Sequence, residues 1–338
     1  MTTIAIVGAS HIHMPGFVRK IQEYPDSKVK YVWDQFQPVA EKQAGELDAA
    51  VAADPAQVWS DPDVKAVIIC SETCLHKELV LPAVAAGKHI FVEKPLGIGA
   101  QDAILMAKAI EDAGVLFQTG YFNRGNPIYQ FVREHIIKGS FGRLTRIRHS
   151  NCHMGGMEDW FIDKEWSWMT DPEQAGFGAF GDLGTHSLDL ILWMVGQGVE
   201  RVTASVHTAG ARFGDDCDEF GEGLLVFEGG IIGSVAAAWV DVSNPFVFQV
   251  NGMEGNAYVA AGNFYFNSKH VDGADGQEPW TDLPPAWPHA FDLFLDAVSG
   301  KPYPALVSAG EAALNSAVME AFYQSARQQS WVKPLKVN

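Results

Sequence analysis

Five short apolar runs alternate with helix-like stretches over the first 120 residues, and few folds accept that pattern. The runs are Ile4–Val7, Val29–Trp33 (broken only by Lys30), Ala66–Cys70, His89–Val92 and Val115–Thr119. Largely unbroken apolar runs of this length predict strands buried on both faces, as in a parallel sheet. Between them the sequence predicts helices over Pro15–Tyr24, Pro38–Ala52, His76–Ala86 and Ala100–Ala113, with Gly87 and Gly114 where helix C-caps belong. Parallel strands need such crossovers, and these are almost always right-handed. Residues 1–122 are therefore expected to form a doubly wound α/β domain of the Rossmann type.

Beyond Gly120 the pattern changes. A helix is predicted over Pro127–Lys138, then strands over Leu144–His149, Val202–Val206, Glu222–Phe227, Ile231–Val240, Val247–Val250 and Ala257–Ala260. Gly229-Gly230 gives the strongest hairpin signal in the chain. Asp272–Pro288 is rich in turn residues. Helices over His289–Val298 and Glu311–Gln328 close the chain, and the last of them is expected to be able to pack back on the first domain. Residues 123–338 are thus expected to be an α+β domain on a large, mainly antiparallel open sheet. Helices would cover one face and a neighbouring subunit the other, giving a homodimer or homotetramer.

Charge narrows the partners. The 24 basic and 41 acidic residues leave a net charge of −17, a field that repels phosphate backbones and anionic lipid. A nucleic-acid or membrane role is not expected. No apolar run approaches the ~18 residues of a membrane span. The four cysteines, Cys70, Cys74, Cys152 and Cys217, are too sparse for a disulfide scaffold. With no basic segment at Met1–Ile4, a cytoplasmic protein with reduced thiols is expected.

Three segments hold chemistry. The first is the turn Gly8-Ala9-Ser10-His11-Ile12-His13, between a buried strand and a helix, where a dinucleotide pyrophosphate sits on backbone N–H groups. Of the three fingerprint glycines only Gly8 is present; Ser10 and His13 hold the other places. A plain strand-to-helix turn is the alternative. Asp34 ends the second strand, 26 residues after Gly8, where a carboxylate accepts ribose hydroxyls and repels a 2′-phosphate. No arginine follows it in Gln35-Phe36-Gln37, which favours NAD over NADP. The second segment delivers Glu93 and Lys94 to the C-terminal edge of a strand, the ligand-binding edge of such sheets. An ammonium there can donate to a carbonyl or alkoxide oxygen; a solvent-facing lysine is the alternative. The third, Gly178 to Trp193, leads glycines into an apolar helix and spaces Asp182 four residues from His186, so both fall on one side. A helix start favours neutral imidazole, the form that takes a proton from an alcohol.

The chain resembles the glucose–fructose oxidoreductase / inositol dehydrogenase (Gfo/Idh/MocA) family of NAD(P)-dependent oxidoreductases. AGKHIFVEKPLG at 86–97, GDLGTHSLD at 181–189 and the order of elements along nearly the whole chain support the resemblance, with Thr73, His76 and Gly120–Arg124 in addition. The resemblance implies that Lys94 polarises the reacting oxygen, His186 is the general acid/base and Asp182 holds substrate hydroxyls. It also implies cofactor contacts from Gly8, Ser10, His11, Ile12, Asp34, Ser71, Thr73, His76, Glu93 and Lys94. Substrate would meet Lys94, Tyr121, Asn123, Arg124, His149, His153, Trp160, Asp182 and His186. The aromatic stretch from His149 to Trp168 points to a pyranose or glycoside, with an inositol second. Trp160, Trp166 and Trp168 read equally well as core. A metal held by His149, His153, Asp182 and His186 is a weaker alternative, and no metal is expected. A dinucleotide-binding sensor on the same fold is the rival from another functional class.

Overall fold

The computed structural model describes residues 1–162 and 165–337. Six parallel strands form the first sheet: β1 (Thr2–Val7), β2 (Ser27–Trp33), β3 (Ala50–Val51), β4 (Ala66–Ile69), β5 (His89–Val92) and β6 (Phe117–Thr119). Their order is β3-β2-β1-β4-β5-β6. Five helices connect them: α1 (Met14–Glu23), α2 (Gln37–Leu47), α3 (Pro55–Ser60), α4 (His76–Ala85) and α5 (Ala100–Ala113). The order reverses between β1 and β4, which opens the ligand crevice of a doubly wound sheet there. All four residues of β4 are buried, as its unbroken apolar run requires.

The helix expected over Pro38–Ala52 ends at Leu47. Asp48 takes a left-handed conformation (φ 50°) and lets the chain turn into β3, which pairs with β2 at the sheet edge. Short α3, capped by the Asp54 carboxylate on the Ala56 N–H, had too few turns to show in the apolar period.

The second sheet has seven strands: β7 (Leu144–Cys152), β8 (Val199–His207), β9 (Phe220–Phe227), β10 (Ile232–Ala238), β11 (Phe248–Gly252), β12 (Gly255–Ala260) and β13 (Asn263–Ser268). Their order is β13-β12-β11-β7-β10-β9-β8, antiparallel except for the β7–β10 pair. Helices α6 (Pro127–Ile137), α7 (Pro172–Ala175), α8 (Ala179–Val195), α9 (Ala290–Val298) and α10 (Ala309–Gln328) complete the chain. Strand β9 alternates inward and outward residues, so one sheet face packs on α8 and α10 and the other is open. Strand β13 was not expected, although Asn263-Phe264-Tyr265-Phe266 alternates at period two.

The two final helices tie the sheets together. Phe291 and Phe294 of α9 pack with Ile4, Ile6, Phe17 and Phe91 on one face of the first sheet. The start of α10, Ala309, Ala312 and Ala313, joins the opposite face with Ala103 and Met106 of α5. Further along α10, Val318, Met319 and Phe322 enter the core of the second sheet. Small residues at the α5 contact allow close helix approach. Ser308 and Glu311 fix the start of α10 with a reciprocal capping box, typically worth about 1 kcal/mol. The cleft between the sheets is thereby held by one continuous helix.

Candidate active site

Strand β5 ends at Val92 and delivers Glu93 and Lys94 into the cleft; α8 delivers Asp182 and His186 from the other side. Lys94 is buried, and its Nζ donates to Asp182 Oδ1 at 2.5 Å and to the Asp182 carbonyl at 3.2 Å. Trp239 Nε1 donates to Asp182 Oδ2 at 3.1 Å. The carboxylate is gripped from both sides and holds the ammonium in a fixed direction. Burial works against that carboxylate, but the adjacent ammonium prevails and holds its pKa at about 2.

His186 is buried, and its Nδ1 has no hydrogen-bond partner. Burial pushes its pKa well below the ordinary imidazole value, and the Lys94 ammonium adds to the shift. The ring is therefore neutral near pH 7. Tyr121 meets it edge-on and Phe122 lies at 5.1 Å between centroids. His11, Ile12, His13, Lys94, His153, Trp160, Asp182 and His186 line one cavity of about 210 Å³. The His153 and Trp160 rings are 4.8 Å apart and form one wall.

The turn after β1 has the shape of a phosphate cradle. Gly8 has φ 87°, and a Cβ there would lie 2.5 Å from Ser71 Cβ, so the turn admits only glycine. Helix α1 follows, with Pro15 in its first turn. His13, at the sixth fingerprint place, sends Nδ1 to Glu93 Oε1 at 3.0 Å; the other Glu93 oxygen accepts the Lys94 N–H at 2.9 Å. Burial opposes the Glu93 carboxylate, but His13 and His11 outweigh it and hold its pKa low. Gly120 belongs to the same cradle, since a Cβ there would lie 2.5 Å from Glu93 Oε2. These features fit a dinucleotide: a tight turn, helical N–H groups and a buried strand edge.

The remaining expected cofactor residues fall around this turn in different ways. Asp34 is buried and accepts from Ala9 N, Ser10 Oγ and Phe36 N at 2.7, 2.9 and 2.8 Å. Its first partner is thus the turn itself. Ser71 packs on Gly8, and Thr73 sits with His11, Lys94 and Trp168 around a small recess. His76 Nδ1 lies 3.1 and 3.2 Å from the Pro95 and Leu96 carbonyls, so it donates to the backbone that positions Lys94. Burial holds His11 neutral, with a pKa of about 3.

Two expected substrate residues belong elsewhere. Arg124 forms a bidentate pair with Asp189 at 2.9 and 2.6 Å and reaches Glu311 at 2.8 Å. Its fork joins the segment after β6 to α8 and α10, and Arg124 does not line the cavity that holds Lys94 and His186. His149 lies in the second core with Tyr129 OH at 2.9 Å and Ser187 Oγ at 2.7 Å, one partner per ring nitrogen. Both ring nitrogens thus have protein partners, and His149 does not line the cavity that holds Lys94 and His186. Tyr121 is buried, with its hydroxyl on Thr185 Oγ1 at 3.0 Å, so only its ring edge serves the site. Asn123 gives its carbonyl to the Asn126 N–H in a turn beside the cleft. Among the described residues, one trio of metal-ligand type, His11, His13 and Glu93, brings its ligand atoms within 4.8 Å of one another.

Sequence reasoning missed Trp239 and the bridging role of Trp168. Trp239 follows β10 directly, and its position beside the Asp182 helix depends on sheet order, which no local motif reveals. Trp168 Nε1 donates to the Ser10 carbonyl at 2.7 Å and so ties the aromatic stretch to the phosphate turn.

Comparison with known proteins agrees with this layout. Residues 2–121 match the model of an oxidoreductase family with an NAD-binding Rossmann fold, and residues 129–258 match a GFO/IDH/MocA C-terminal domain. Levoglucosan dehydrogenase of Pseudarthrobacter phenanthrenivorans is 28% identical over 223 residues, 59% of this chain and 56% of that protein. 1,5-Anhydro-D-fructose reductase of Ensifer adhaerens is 31% identical over 203 residues, 59% of this chain and 58% of that protein. The chain thus aligns with under two thirds of either relative's length. A solved levoglucosan dehydrogenase, in complex with NADH and L-sorbose, shares the fold with a TM-score of 0.81 at 21% identity, over 100% of each chain. No helix among the described residues is long and apolar enough to cross a membrane. With both sheets matched and the Glu93-Lys94-Pro95 edge facing Asp182 and His186, the chain belongs to the Gfo/Idh/MocA family, and its first domain is that family's NAD-binding Rossmann domain.

Proposed function

We propose that the protein is an NAD-dependent dehydrogenase that oxidises a secondary hydroxyl of a sugar, glycoside or polyol to a ketone, or runs the reverse. The observation that supports this most is that Lys94 and His186, a buried histidine whose Nδ1 has no partner, line one cavity. The cofactor, when bound, supplies the hydride acceptor. Lys94 donates a hydrogen bond to the reacting oxygen and stabilises negative charge developing there. Asp182, gripped by Trp239, fixes the ammonium and so orients the oxygen rather than acting chiefly on distant hydroxyls. His186, neutral and short of a partner, takes the hydroxyl proton.

The cavity volume of about 210 Å³ lies below the ~300–1,000 Å³ of drug-sized sites, which suits a single sugar ring. Trp160 and His153 offer a ring face to C–H groups of such a substrate. The relatives named for anhydrosugars make a pyranose the first choice and an inositol the second. Exposed Phe220, Leu224 and Ile232 lie on the open side of the second sheet and support a homo-oligomer through that face. The four cysteines are free thiols, and a reducing, cytoplasmic setting is part of the proposal.

The test is NADH formation by the full-length protein with NAD and a panel of anhydrosugars, pyranosides and inositols. Turnover of at least one polyol supports the proposal. Tight dinucleotide binding with no turnover across the panel favours a sensor instead.

A further inference from the structure

Asp34 is the one acidic residue that sequence position assigns to the adenosine ribose, yet three donors already occupy it. Its Oδ2 accepts both Ala9 N and Ser10 Oγ, and its Oδ1 accepts Phe36 N. A carboxylate offers about four lone-pair sites, so little remains for a ligand. A second carboxylate stands beside it. Glu72 follows the C-terminal end of β4, next to Ser71, on which Gly8 packs. Its Oε1 accepts from Nε2 of Gln35, the residue after Asp34, at 2.7 Å. Its Oε2 is buried with no partner. Burial is the main cause that raises the Glu72 pKa, and the nearby Asp34 carboxylate adds a smaller push in the same direction.

We propose that Glu72 is a cofactor-specificity residue whose free Oε2 accepts a hydroxyl of the adenosine ribose and whose charge, added to that of Asp34, excludes a 2′-phosphate. Three observations converge. The position is the switch point of the sheet, where the nucleotide crevice opens. The unpartnered buried acceptor is costly unless a donor meets it, and a ribose hydroxyl is such a donor. Among the described residues, no lysine or arginine is hydrogen-bonded to either carboxylate. Asp34 then shapes the turn, and Glu72 reads the ribose. This rests on the NAD-binding assignment of the first domain.

The experiment measures NADH and NADPH affinity by nicotinamide fluorescence for wild type, Glu72→Gln, Glu72→Ala and Asp34→Asn. It needs no substrate, so it is independent of the proposed dehydrogenase activity. Wild type is expected to bind NADH far better than NADPH. Removing one unit charge a few ångströms from a phosphate is worth roughly tenfold or more, so Glu72→Gln is expected to improve NADPH affinity relative to NADH by about that factor. Glu72→Ala is expected to do the same and also to weaken NADH, because the acceptor is gone. Retained NADH binding shows that a variant is folded. An unchanged NADPH to NADH ratio in both Glu72 variants, or a shift confined to Asp34→Asn, overturns the proposal. Failure of wild type to bind either dinucleotide would instead overturn the NAD assignment beneath it.

Discussion

Acid should destabilise this protein through His149 in a way that one substitution removes. The ring is buried in the second core, one nitrogen on Tyr129 and the other on Ser187. Burial lowers its pKa from the usual 6.5 to about 3. The unfolded chain therefore binds a proton as pH falls below about 6.5, while the folded protein does not until about pH 3. The folded pKa is the lower one, so stability is present above 6.5 and is lost on acidification between those values. At about 1.4 kcal/mol per pH unit, one such histidine costs about 2 kcal/mol between pH 7 and pH 5. Urea unfolding at both pH values measures the loss. His149→Gln keeps an acceptor and a donor but cannot titrate, so it should shrink the pH 7 to pH 5 loss by about 2 kcal/mol. An undiminished loss in that variant, with two-state unfolding, would refute the buried neutral assignment.

Arg124→Ala strands Asp189 in the interior and should cost about 3–5 kcal/mol of stability; urea unfolding measures this, and the substrate KM should hold, since the guanidinium faces α8 and α10 rather than the cavity. Gly8→Ala places a Cβ 2.5 Å from Ser71 at φ 87°. It should cost at least about 2 kcal/mol and weaken NADH binding, read by thermal melting and fluorescence titration. The pH–rate profile also has a definite sign. A histidine at its ordinary pKa would give oxidation rates that rise between pH 6 and 7, roughly where free imidazole titrates. Burial of His186 moves that limb to lower pH, so kcat should be level across that range when chemistry is rate-limiting; a rise there would contradict the shift.

How much of this was legible beforehand follows the range of each interaction. Apolar runs such as Ala66–Ile69 announce buried strands because burial acts on every residue, and the Asp182–His186 spacing announces a shared helix side because one helix sets it. The partners of Arg124 and His149 were not legible, for the opposite reason. Each is a residue type that binds sugars, and each found its partners far away in sequence, at Asp189 and Glu311 or at Tyr129 and Ser187. Asp34 was placed correctly at a strand end, but its bonds to Ala9 and Ser10 depend on how close β1 and β2 bring two turns. Trp239 became visible only once β10 was laid beside β7 beneath α8.

The measurement that bears most directly on the site is single-turnover hydride transfer in Lys94→Met and His186→Ala, with NADH affinity determined in parallel. If the two side chains act on one oxygen, both variants keep dinucleotide affinity within a few fold and lose at least about a hundredfold in the transfer rate. Transfer at the wild-type rate in either variant contradicts a shared site built from the β5 edge and α8.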